Sequence, residues 1–344
     1  MKYLWMVGLL LVSSTSSLAV DNVFEIERVA DGVYAAIAKP TFRLNCNAAI
    51  ILMGDGVLVV DSESIPSAAR EVIAEIKRIT DKPVKYVVIT HFHGDHFQGA
   101  EAYASTWPGV QFISSDATRE SILKRGIPRM KGEILDLPGR IDKIKVELAQ
   151  VSDKKQKEQI QQRLDQAEAY LAELKSIGLV LPTQTVDHDL RIYGTTRTVE
   201  ILWLGRGHTD GDLFVYVPDA KVIVSGDALH SGTPTLTDAS PYDWIRTLDL
   251  VEKLDFDYVI GGHGDVMRGK ETFELWKEYF TYLMANAVNA CAEGKTLDEA
   301  RKTLAPTLIA KYGTRFGNIP APFARTVDAN IDRAFRVVSG PRVQ

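Results

Sequence analysis

The chain has 344 residues, a formal net charge of −5 at pH 7 and 25% charged residues. This length accommodates one large domain or two modest ones. The mild acidity argues against a nucleic-acid ligand, because affinity for nucleic acid depends on clustered lysine and arginine. We therefore expect a small-molecule partner.

The first stretch, MKYLWMVGLLLVSSTSSLA, is typical of a secretory signal peptide: one lysine, an apolar run and then small residues. Its apolar run is shorter than the ~20 residues that span a bilayer. We predict removal of residues 1–19, a periplasmic or secreted location and no stable membrane association after cleavage. In an oxidising compartment, Cys46 and Cys291 either form a disulfide or remain two separately buried thiols.

The next part of the chain is predicted to form antiparallel hairpins. Four short β-type runs, VFEIERV, GVYAAIA, NAAIIL and GVLVVDS, are separated by turn sequences such as DG and GDG. Pro66 then begins a predicted helix, because proline is tolerated in a first helical turn and Ala69, Ile73 and Ile76 follow on one face. The following strand, VKYVVIT, leads into a histidine-rich loop.

Strands and helices alternate after this loop. Helices are predicted at FQGAEAYAS and SDATRESILKR, around a strand at VQFIS. The second half has predicted strands at TRTVEILWL, LFVYV, KVIVSGD and DYVIGG, and a helix near YDWIRTLDLVEKL. Two halves of strands followed by helices predict an α/β (α+β) protein with two sheets packed face to face and helices outside.

Residues 142–177, between the two halves, are strongly charged and helix-prone. Apolar residues recur along one stripe of this segment: Ile160, Leu164, Ala167, Leu171 and Leu174. The pattern predicts an amphipathic helix packed on its own domain. The alternative is a lid or a dimer contact, because an inserted helical segment often shapes access to a site.

The last part of the chain is predicted to be helical. Residues 271–306 predict two helices, of which the second begins near Thr296, and Phe273, Trp276 and Phe280 form a packing face of the first. We assign residues 20–268 to a catalytic domain that includes the helical insertion 142–177, and residues 269–344 to a C-terminal helical extension. Oligomerisation through these helices is a separate hypothesis.

The stretch THFHGDH, residues 90–96, holds three of the seven histidines in the chain. Three imidazoles crowded beside a carboxylate suit a metal site better than a core, because every buried ring nitrogen needs a partner. His91 and His93 are two residues apart, so an extended backbone places both rings on one side. A glycine then permits a tight turn before Asp95 and His96.

Three further polar residues stand just after later strands, each bordered by glycine. His208 lies in GRGHTDG, Asp227 in SGDALH and His263 in GGHGD. Each one follows an apolar run, as expected of loop residues at the rim of a sheet.

Together these side chains predict two metal ions. Neutral imidazoles suit zinc, and three protein ligands with an open position are typical of catalytic zinc. The predicted ligands fall into two sets with one bridging carboxylate: His91, His93 and His208; Asp95, His96 and His263; and Asp227 as the bridge. Two ions ~3.5–4 Å apart would share a hydroxide and lower the pKa of water from 15.7 to about 7.

The motif HFHGDH, with the later GRGHTDGD, SGDALH and GGHGD, resembles the metallo-β-lactamase superfamily, whose pattern is HxHxDH followed by histidine, aspartate and histidine. The resemblance extends from the VLVVDS strand to His263. It implies a four-layer αβ/βα sandwich with a di-metal site at one edge and the same division of ligands. Asp61, which closes VLVVD, matches a position that supports a ligand histidine.

The resemblance also implies the chemistry. A metal-bridging hydroxide would attack a carbonyl carbon, with Asp227 bridging the ions and Asp95 orienting the hydroxide or carrying its proton. Export favours a small ester, lactone or β-lactam over intracellular thioesters and RNA precursors. We therefore expect a secreted zinc-dependent hydrolase with two zinc ions per chain. Iron or manganese is the alternative metal.

Two other functions fit the same fold. A mononuclear-iron oxygenase acting on thiols or persulfides would use the same histidines, and a phosphodiesterase is the second alternative. Seven donors favour two ions, and therefore hydrolysis. The lactamase subclass with a cysteine ligand carries that cysteine where this chain has Asp227, so the resemblance is to the broader hydrolase branch. His230 either contacts the substrate or has a structural role.

Overall fold

The computed structural model describes residues 23–40, 45–317 and 322–340. The predicted signal peptide therefore lies outside the described residues. Among the helices that are described, none combines the length and the apolar character that a membrane span requires.

The first sheet contains seven strands that lie side by side in chain order. They are β1 (Phe24–Ala30), β2 (Val33–Ala38), β3 (Ala48–Leu52), β4 (Val57–Val60), β5 (Val84–Val88), β6 (Gln111–Ser115) and β7 (Gln184–Val186). Strands β1 to β4 pair antiparallel, which confirms the predicted hairpins. From β4 to β7 the neighbouring strands are parallel.

The second sheet contains six strands in the order β13-β12-β11-β10-β9-β8. They are β8 (Asp189–Tyr193), β9 (Thr198–Leu202), β10 (Phe214–Val217), β11 (Val222–Gly226), β12 (Tyr258–Gly261) and β13 (Met267–Arg268). Strand β10 pairs antiparallel with both β9 and β11, whereas β11 and β12 are parallel. Strands β9, β11 and β12 consequently point in the same direction.

Helices cover the outer faces of both sheets, and two more form a separate hairpin. They are α1 (Pro66–Ile79), α2 (Gly94–Phe97), α3 (Ala100–Thr106), α4 (Asp116–Ser121), α5 (Ile127–Gln150), α6 (Lys154–Ser176), α7 (Pro241–Val251), α8 (Glu271–Ala292), α9 (Leu297–Tyr312) and α10 (Phe323–Ser339). As predicted, α1 begins at a proline and buries Ala69, Ile73 and Ile76 on one face. Lysine and arginine in its last turn interact favourably with the helix dipole.

Three apolar clusters separate four layers. The first lies between α1 to α3 and the first sheet and includes Val59 and Tyr103. The second fills the space between the two sheets, where Val60 and Val224 are buried. The third lies between the second sheet and helices α7 to α10, around Trp276. Each fully buried aliphatic or aromatic side chain stabilises this arrangement by roughly 1.5–3 kcal/mol.

The C-terminal helices belong to this third cluster. Helix α9 begins next to Thr296 as predicted, and the Thr296 side chain caps it in a capping box with Glu299. Helix α10 lies in the predicted C-terminal helical extension, although its bounds were not predicted, and it buries Phe323, Val327 and Ile331 in the same cluster as the second sheet. The boundary between a catalytic domain and an extension at residue 268 stays a prediction, since both sides share one core.

The helical insertion is longer than the charged segment 142–177. Helices α5 and α6 form a hairpin with its own apolar cluster, which includes Met130, Leu137 and Leu174. The hairpin therefore begins near residue 127, and residues 151–153 divide it. Its first part was missed because Pro138 and two glycines interrupt the helical pattern there. Glu173 of α6 accepts a hydrogen bond from the backbone N–H of Ser67 in α1 at 2.9 Å. This bond attaches the hairpin to α1.

Both cysteines are free thiols. Cys46 is buried just before β3, and Cys291 is half-buried near the end of α8. The disulfide alternative is therefore not realised, and the two thiols have separate environments.

Candidate metal centre

The predicted donors all follow the carboxyl ends of strands. In the first sheet, Asp61 follows β4 and the loop 90–96 follows the parallel strand β5. In the second sheet, His208, Asp227 and His263 follow β9, β11 and β12, which point in one direction. Because the sheets pack face to face, these strand ends meet at one edge of the sandwich.

The first group of donors consists of His91, His93, His208 and Asp227, whose ligand atoms all lie within 4.8 Å of one another. Nε2 of His208 lies 3.0 Å from Nδ1 of His93. The same nitrogen lies 3.6 Å from Oδ2 of Asp227. His91 completes the group, with its ring centroid 4.7 Å from that of His93.

The second group consists of Asp95, His96 and His263, which also lie within 4.8 Å of one another. Nε2 of His263 lies 3.3 Å from Oδ2 of Asp95. Oδ1 of Asp227 lies 3.4 Å from Nε2 of both His96 and His263. Asp227 thus stands between the groups with one oxygen towards each, and all seven predicted donors are brought together in the predicted division.

Asp61 supports the centre from behind. Its Oδ2 lies 2.8 Å from Nδ1 of His96, while its Oδ1 accepts a hydrogen bond from the backbone N–H of Thr90 at 2.8 Å. The Thr90 hydroxyl also contacts Nδ1 of His91 at 3.1 Å. One buried carboxylate therefore helps to orient a histidine of each group, because a fixed partner on one ring nitrogen directs the other nitrogen to the centre.

The backbone around Asp61 is strained. Asp61 and Glu63 have φ angles of 65° and 75°, in the left-handed region that residues other than glycine rarely adopt. Glu63 is buried, and burial raises its pKa well above the usual range. Its Oε2 lies 3.6 Å from Sγ of Cys46. Glu63 was not predicted from the sequence, although it stands only two residues after Asp61.

Asp238 supports the other side of the centre. Its Oδ2 lies 2.8 Å from Nε2 of His93, so Nδ1 of that ring faces His208. Asp238 also pairs with Arg129 of α5 and with Arg125, which lies just before that helix. The sequence offered no signal for this residue, because it lies in an irregular segment between β11 and α7 rather than after a strand.

Asn47 and Gly262 allow the strand ends of the two sheets to pack closely. The side-chain amide of Asn47 donates to the carbonyl oxygens of Gly261 and Gly264 at 2.9 and 2.8 Å, which connects the first sheet to the His263 loop. At Gly262 a Cβ atom would lie 2.1 Å from Oδ1 of Asp227. A side chain at that position would displace the carboxylate that stands between the donor groups.

The charge states of the first donor group suit a divalent cation. Burial, with the neighbouring His96 and His93, lowers the pKa of His91 well below its usual value. Burial, reinforced by His93, lowers the pKa of His208 to about 4. Burial alone would raise the pKa of Asp227, but His263 and His96 outweigh it and hold that pKa well below its usual value. Neutral imidazoles beside an ionised carboxylate are the donors that zinc binds.

The imidazoles of the second donor group have raised pKa values instead. Burial alone would lower the pKa of both rings, but Asp61 outweighs it at His96 and raises that pKa well above its usual value, and Asp227 raises the pKa of His263 to about 9. Zinc binding to this group would therefore release protons.

Unpartnered atoms at the centre support the same conclusion. Nε2 of His91, Nε2 of His96 and Oδ1 of Asp227 are buried, and none has a hydrogen-bond partner in the described part of the chain. Buried polar atoms without a partner are unfavourable, so they indicate a ligand. The residues present therefore fit metal ions.

His230 lies behind the centre rather than in an open pocket. It is 1% exposed, and its Nδ1 accepts a hydrogen bond from the backbone N–H of Gly232 at 3.0 Å. Its ring packs edge-on against those of His263 and Trp276, with centroid distances of 5.7 and 5.0 Å. These contacts favour the structural alternative for His230, and substrate contact stays a prediction.

A cavity of about 250 Å³ opens beside the donors. His93, Asp95 and Gln98 line one side of it, and Arg129 and Met130 of α5 line the other. The insertion is thus attached to its own domain and also forms a wall beside the centre. A role as a lid or a dimer contact stays a prediction.

Comparison with known families and relatives identifies related proteins. The Metallo-beta-lactamase superfamily profile matches residues 41–263. The linear primary-alkylsulfatase of Pseudomonas sp. (strain ATCC 19151) is 25% identical over 276 residues, which cover 75% of this chain and 50% of that protein. This chain therefore spans about half the length of that relative. The type 2 metallo-beta-lactamase of Elizabethkingia meningoseptica is 23% identical over 250 residues, 70% of this chain and 79% of that protein.

Solved structures confirm the predicted four-layer fold. A metallo-beta-lactamase from Pontibacter korlensis superposes with a TM-score of 0.54 at 17% identity, covering 75% of this chain and 99% of that one. A metallo-beta-lactamase from Pseudomonas aeruginosa, solved in a mono-zinc form, gives a TM-score of 0.53 at 17% identity, covering 75% and 95%.

Proposed function

This chain belongs to the metallo-β-lactamase superfamily, and on that premise we propose that it is a di-zinc hydrolase of a small ester, lactone or β-lactam. One observation carries the proposal: seven donors converge in two groups, with Asp227 between them. Three protein donors on each side leave open positions, which is typical of catalytic rather than structural zinc.

The donor residues would bind two ions. His91, His93 and His208 would bind one ion, and Asp95, His96 and His263 would bind the other. Asp227 would contact both ions. When bound, the two ions supply a hydroxide near neutral pH and positive charge for a developing oxyanion. Asp61 and Asp238 keep the imidazoles in orientation through hydrogen bonds on the far side of the rings.

The proposed reaction is hydrolysis. A water oxygen bonds to the carbonyl carbon, the bond from that carbon to the leaving oxygen or nitrogen breaks, and one proton of the water passes to the leaving atom. Asp95 is placed to hold this proton, because its side chain is 15% exposed and lines the cavity. Burial raises the pKa of Asp95, but His96 and His263 outweigh burial and lower it, so the carboxylate is ionised.

A second candidate function is hydrolysis of a sulfate ester. It is favoured by the alkylsulfatase relative, which aligns over 276 residues of this chain. Because the chain spans half of that relative, the likeness supports the substrate class and not the complete activity of the longer protein.

We also propose a periplasmic or secreted location and a small-molecule partner, with no nucleic-acid partner and no stable membrane association. The signal-like residues 1–19 and the net charge of −5 support these proposals.

Turnover assays on the zinc-loaded protein test the function. The substrates are a β-lactam, a lactone, para-nitrophenyl acetate, an alkyl sulfate and bis(para-nitrophenyl) phosphate, and we expect turnover of one of the first three. Turnover of the alkyl sulfate alone would favour the second candidate, and turnover of the phosphodiester alone the phosphodiesterase. His188→Ala is the matched control, because His188 is exposed and lies outside the donor groups. Absence of turnover on all five substrates would contradict the proposal.

A further inference from the structure

Two arginines near the start of the helical insertion reach the candidate metal centre. Arg129 is in the first turn of α5, and Arg125 is in a π-helical turn, Ile122–Gly126, that joins α4 to α5. Single π-helical turns are rare and frequently occur at functional sites. The turn shifts the register of the helix just before the residues that line the cavity.

Both guanidinium groups are held in place. Nη1 and Nη2 of Arg129 donate to the two oxygens of Asp238 at 2.7 and 2.9 Å, and Arg125 pairs with the same carboxylate. Phe92 supports them from the side, with its ring centroid 4.4 Å from Cζ of Arg125 and 5.2 Å from Cζ of Arg129. Their positions are therefore fixed before any ligand arrives, which lowers the entropy cost of binding.

Arg125, Arg129 and Asp238 together carry one net positive charge, because two guanidinium groups share a single carboxylate. The cavity that Arg129 lines also has the carboxylates of Asp95 and Glu133 on its wall, so the positive charge is local to Arg129. Asp238 is 6% exposed and points away from solvent, whereas the side chain of Arg129 is 49% exposed. Guanidinium presents five N–H donors, so Arg129 retains donors beyond the two given to Asp238.

The cavity lies between Arg129 and the candidate metal centre. Arg129 lines it together with Asp95 and His93, and the cavity has a small volume of about 250 Å³. A molecule that fills this space touches the metal donors and Arg129 together. The amide of Gln98 lies on the same wall and adds a neutral hydrogen-bonding group.

We propose that Arg129, with Arg125 behind it, binds an oxyanion of the substrate, so that the substrate is a small molecule with a carboxylate or sulfate group near the bond that is cleaved. This inference rests on the proposed hydrolase function and names its substrate class. Guanidinium suits the role because it matches planar or tetrahedral oxyanions with more than one charge-assisted hydrogen bond.

A purely structural role is the rival explanation. In that case the arginines only attach the insertion to Asp238, and through Asp238 they orient His93. Loss of Arg129 would then weaken metal binding and reduce turnover of every substrate by the same factor. An oxyanion site instead distinguishes a charged substrate from a neutral one.

A matched pair of esters separates the two roles. Para-nitrophenyl acetate and mono-para-nitrophenyl succinate present the same leaving group and differ by one carboxylate. In Arg129→Gln we expect kcat/KM to fall for both esters, because Asp238 loses a partner. The ratio of the succinate to the acetate value should fall about tenfold, because a charge-assisted hydrogen bond is lost only for the anion.

One further variant serves as the control. Lys131→Gln removes an exposed charge from the same helix, outside the residues that line the cavity, and should leave the ratio unchanged. An unchanged ratio in Arg129→Gln, with equal losses for both esters, would overturn the proposal in favour of the structural role.

If neither ester is hydrolysed, the result contradicts the proposed carbonyl hydrolysis but not the oxyanion site. A binding measurement then tests the oxyanion site directly. Succinate and inorganic sulfate are titrated calorimetrically into the zinc-loaded wild type and Arg129→Gln, with bound zinc determined for both. Weaker binding to the variant at equal zinc content supports the site, and the tighter of the two ligands shows whether it prefers carboxylate or sulfate. Equal affinity in both proteins, or no binding to the wild type, would overturn it.

Discussion

Oδ2 of Asp61 lies 2.8 Å from Nδ1 of His96, and this contact connects the end of β4 with the short helix α2. Burial alone would lower the pKa of His96, but Asp61 outweighs it and raises that pKa well above the usual value. The contact fixes the ring so that Nε2 faces the carboxylates of Asp95 and Asp227. A residue outside the two predicted donor groups therefore controls the direction of a residue within them.

Asp61→Asn tests this relationship. The amide keeps the volume of the carboxylate but lacks its charge, so we expect zinc affinity to fall about 10–100-fold while the fold is retained. Competition with a chromogenic chelator measures the affinity. Asp136→Asn is the control, because Asp136 is exposed on α5 and lies outside the donor groups. Equal zinc affinity in both variants would show that Asp61 does not support the site.

Removal of donors from the second group should remove one ion. We expect Asp227→Ala and His263→Ala to reduce bound zinc from two ions per chain towards one and to lower kcat more than about 100-fold, because stabilisation of the developing charge is lost. Elemental mass spectrometry and the turnover assay measure the two effects. Full activity with two ions in either variant would disprove the assignment of that residue.

Trp276 tests whether the C-terminal helices are part of one core. It is fully buried in the cluster beneath the second sheet, with its ring 5.5 Å from Trp244 and 5.0 Å from His230. Trp276→Ala should lower the free energy of unfolding by about 3–5 kcal/mol through lost contacts and a cavity. Urea unfolding measures it, and Leu135→Ala, at a residue 78% exposed, is the control. A similar small loss in both variants would show that α8 is dispensable for the core.

The pH dependence of stability should report on Glu278, which links α8 to α9. Hydrogen bonds from Arg315 and then Lys311 lower the pKa of Glu278 to about 2, against about 4.3 in the unfolded chain. A lowered carboxyl pKa stabilises the fold above the unfolded value, and the effect is lost as pH falls from about 4.3 towards 2. Because the side chain is 39% exposed, we expect at most ~1 kcal/mol.

The measurement compares urea midpoints of the wild type and Glu278→Gln at pH 5 and pH 3, both without zinc so that metal loss does not contribute. The wild type should lose more stability than the variant between these two values. Equal losses would show that the surface cluster does not stabilise the fold.

Much of the metal centre was predictable because its donors follow a simple rule. Each one comes directly after an apolar strand, and strands that point the same way in two packed sheets end at one edge. His208, Asp227 and His263 are far apart in the sequence, yet this rule places them beside the loop 90–96. The histidine spacing and the bordering glycines are local patterns that can be recognised in a single sequence.

The supporting residues were less predictable because their partners are distant in the sequence. Asp238 meets His93 across 145 positions, and it follows no strand and belongs to no motif. Glu63 gains its significance from burial and from a positive φ angle, which composition and periodicity do not encode. The first part of α5 was missed because proline and glycine obscured its pattern, although tertiary packing of Leu137 and Ile141 keeps it helical.

The most direct test of the central claim is the metal content of the purified protein, measured by elemental mass spectrometry together with hydrolysis of a β-lactam, a lactone and an ester. We predict about two zinc ions per chain and turnover of at least one of these substrates, because seven donors converge in two groups. One iron per chain with no hydrolysis would contradict the account and favour an oxygenase acting on thiols or persulfides.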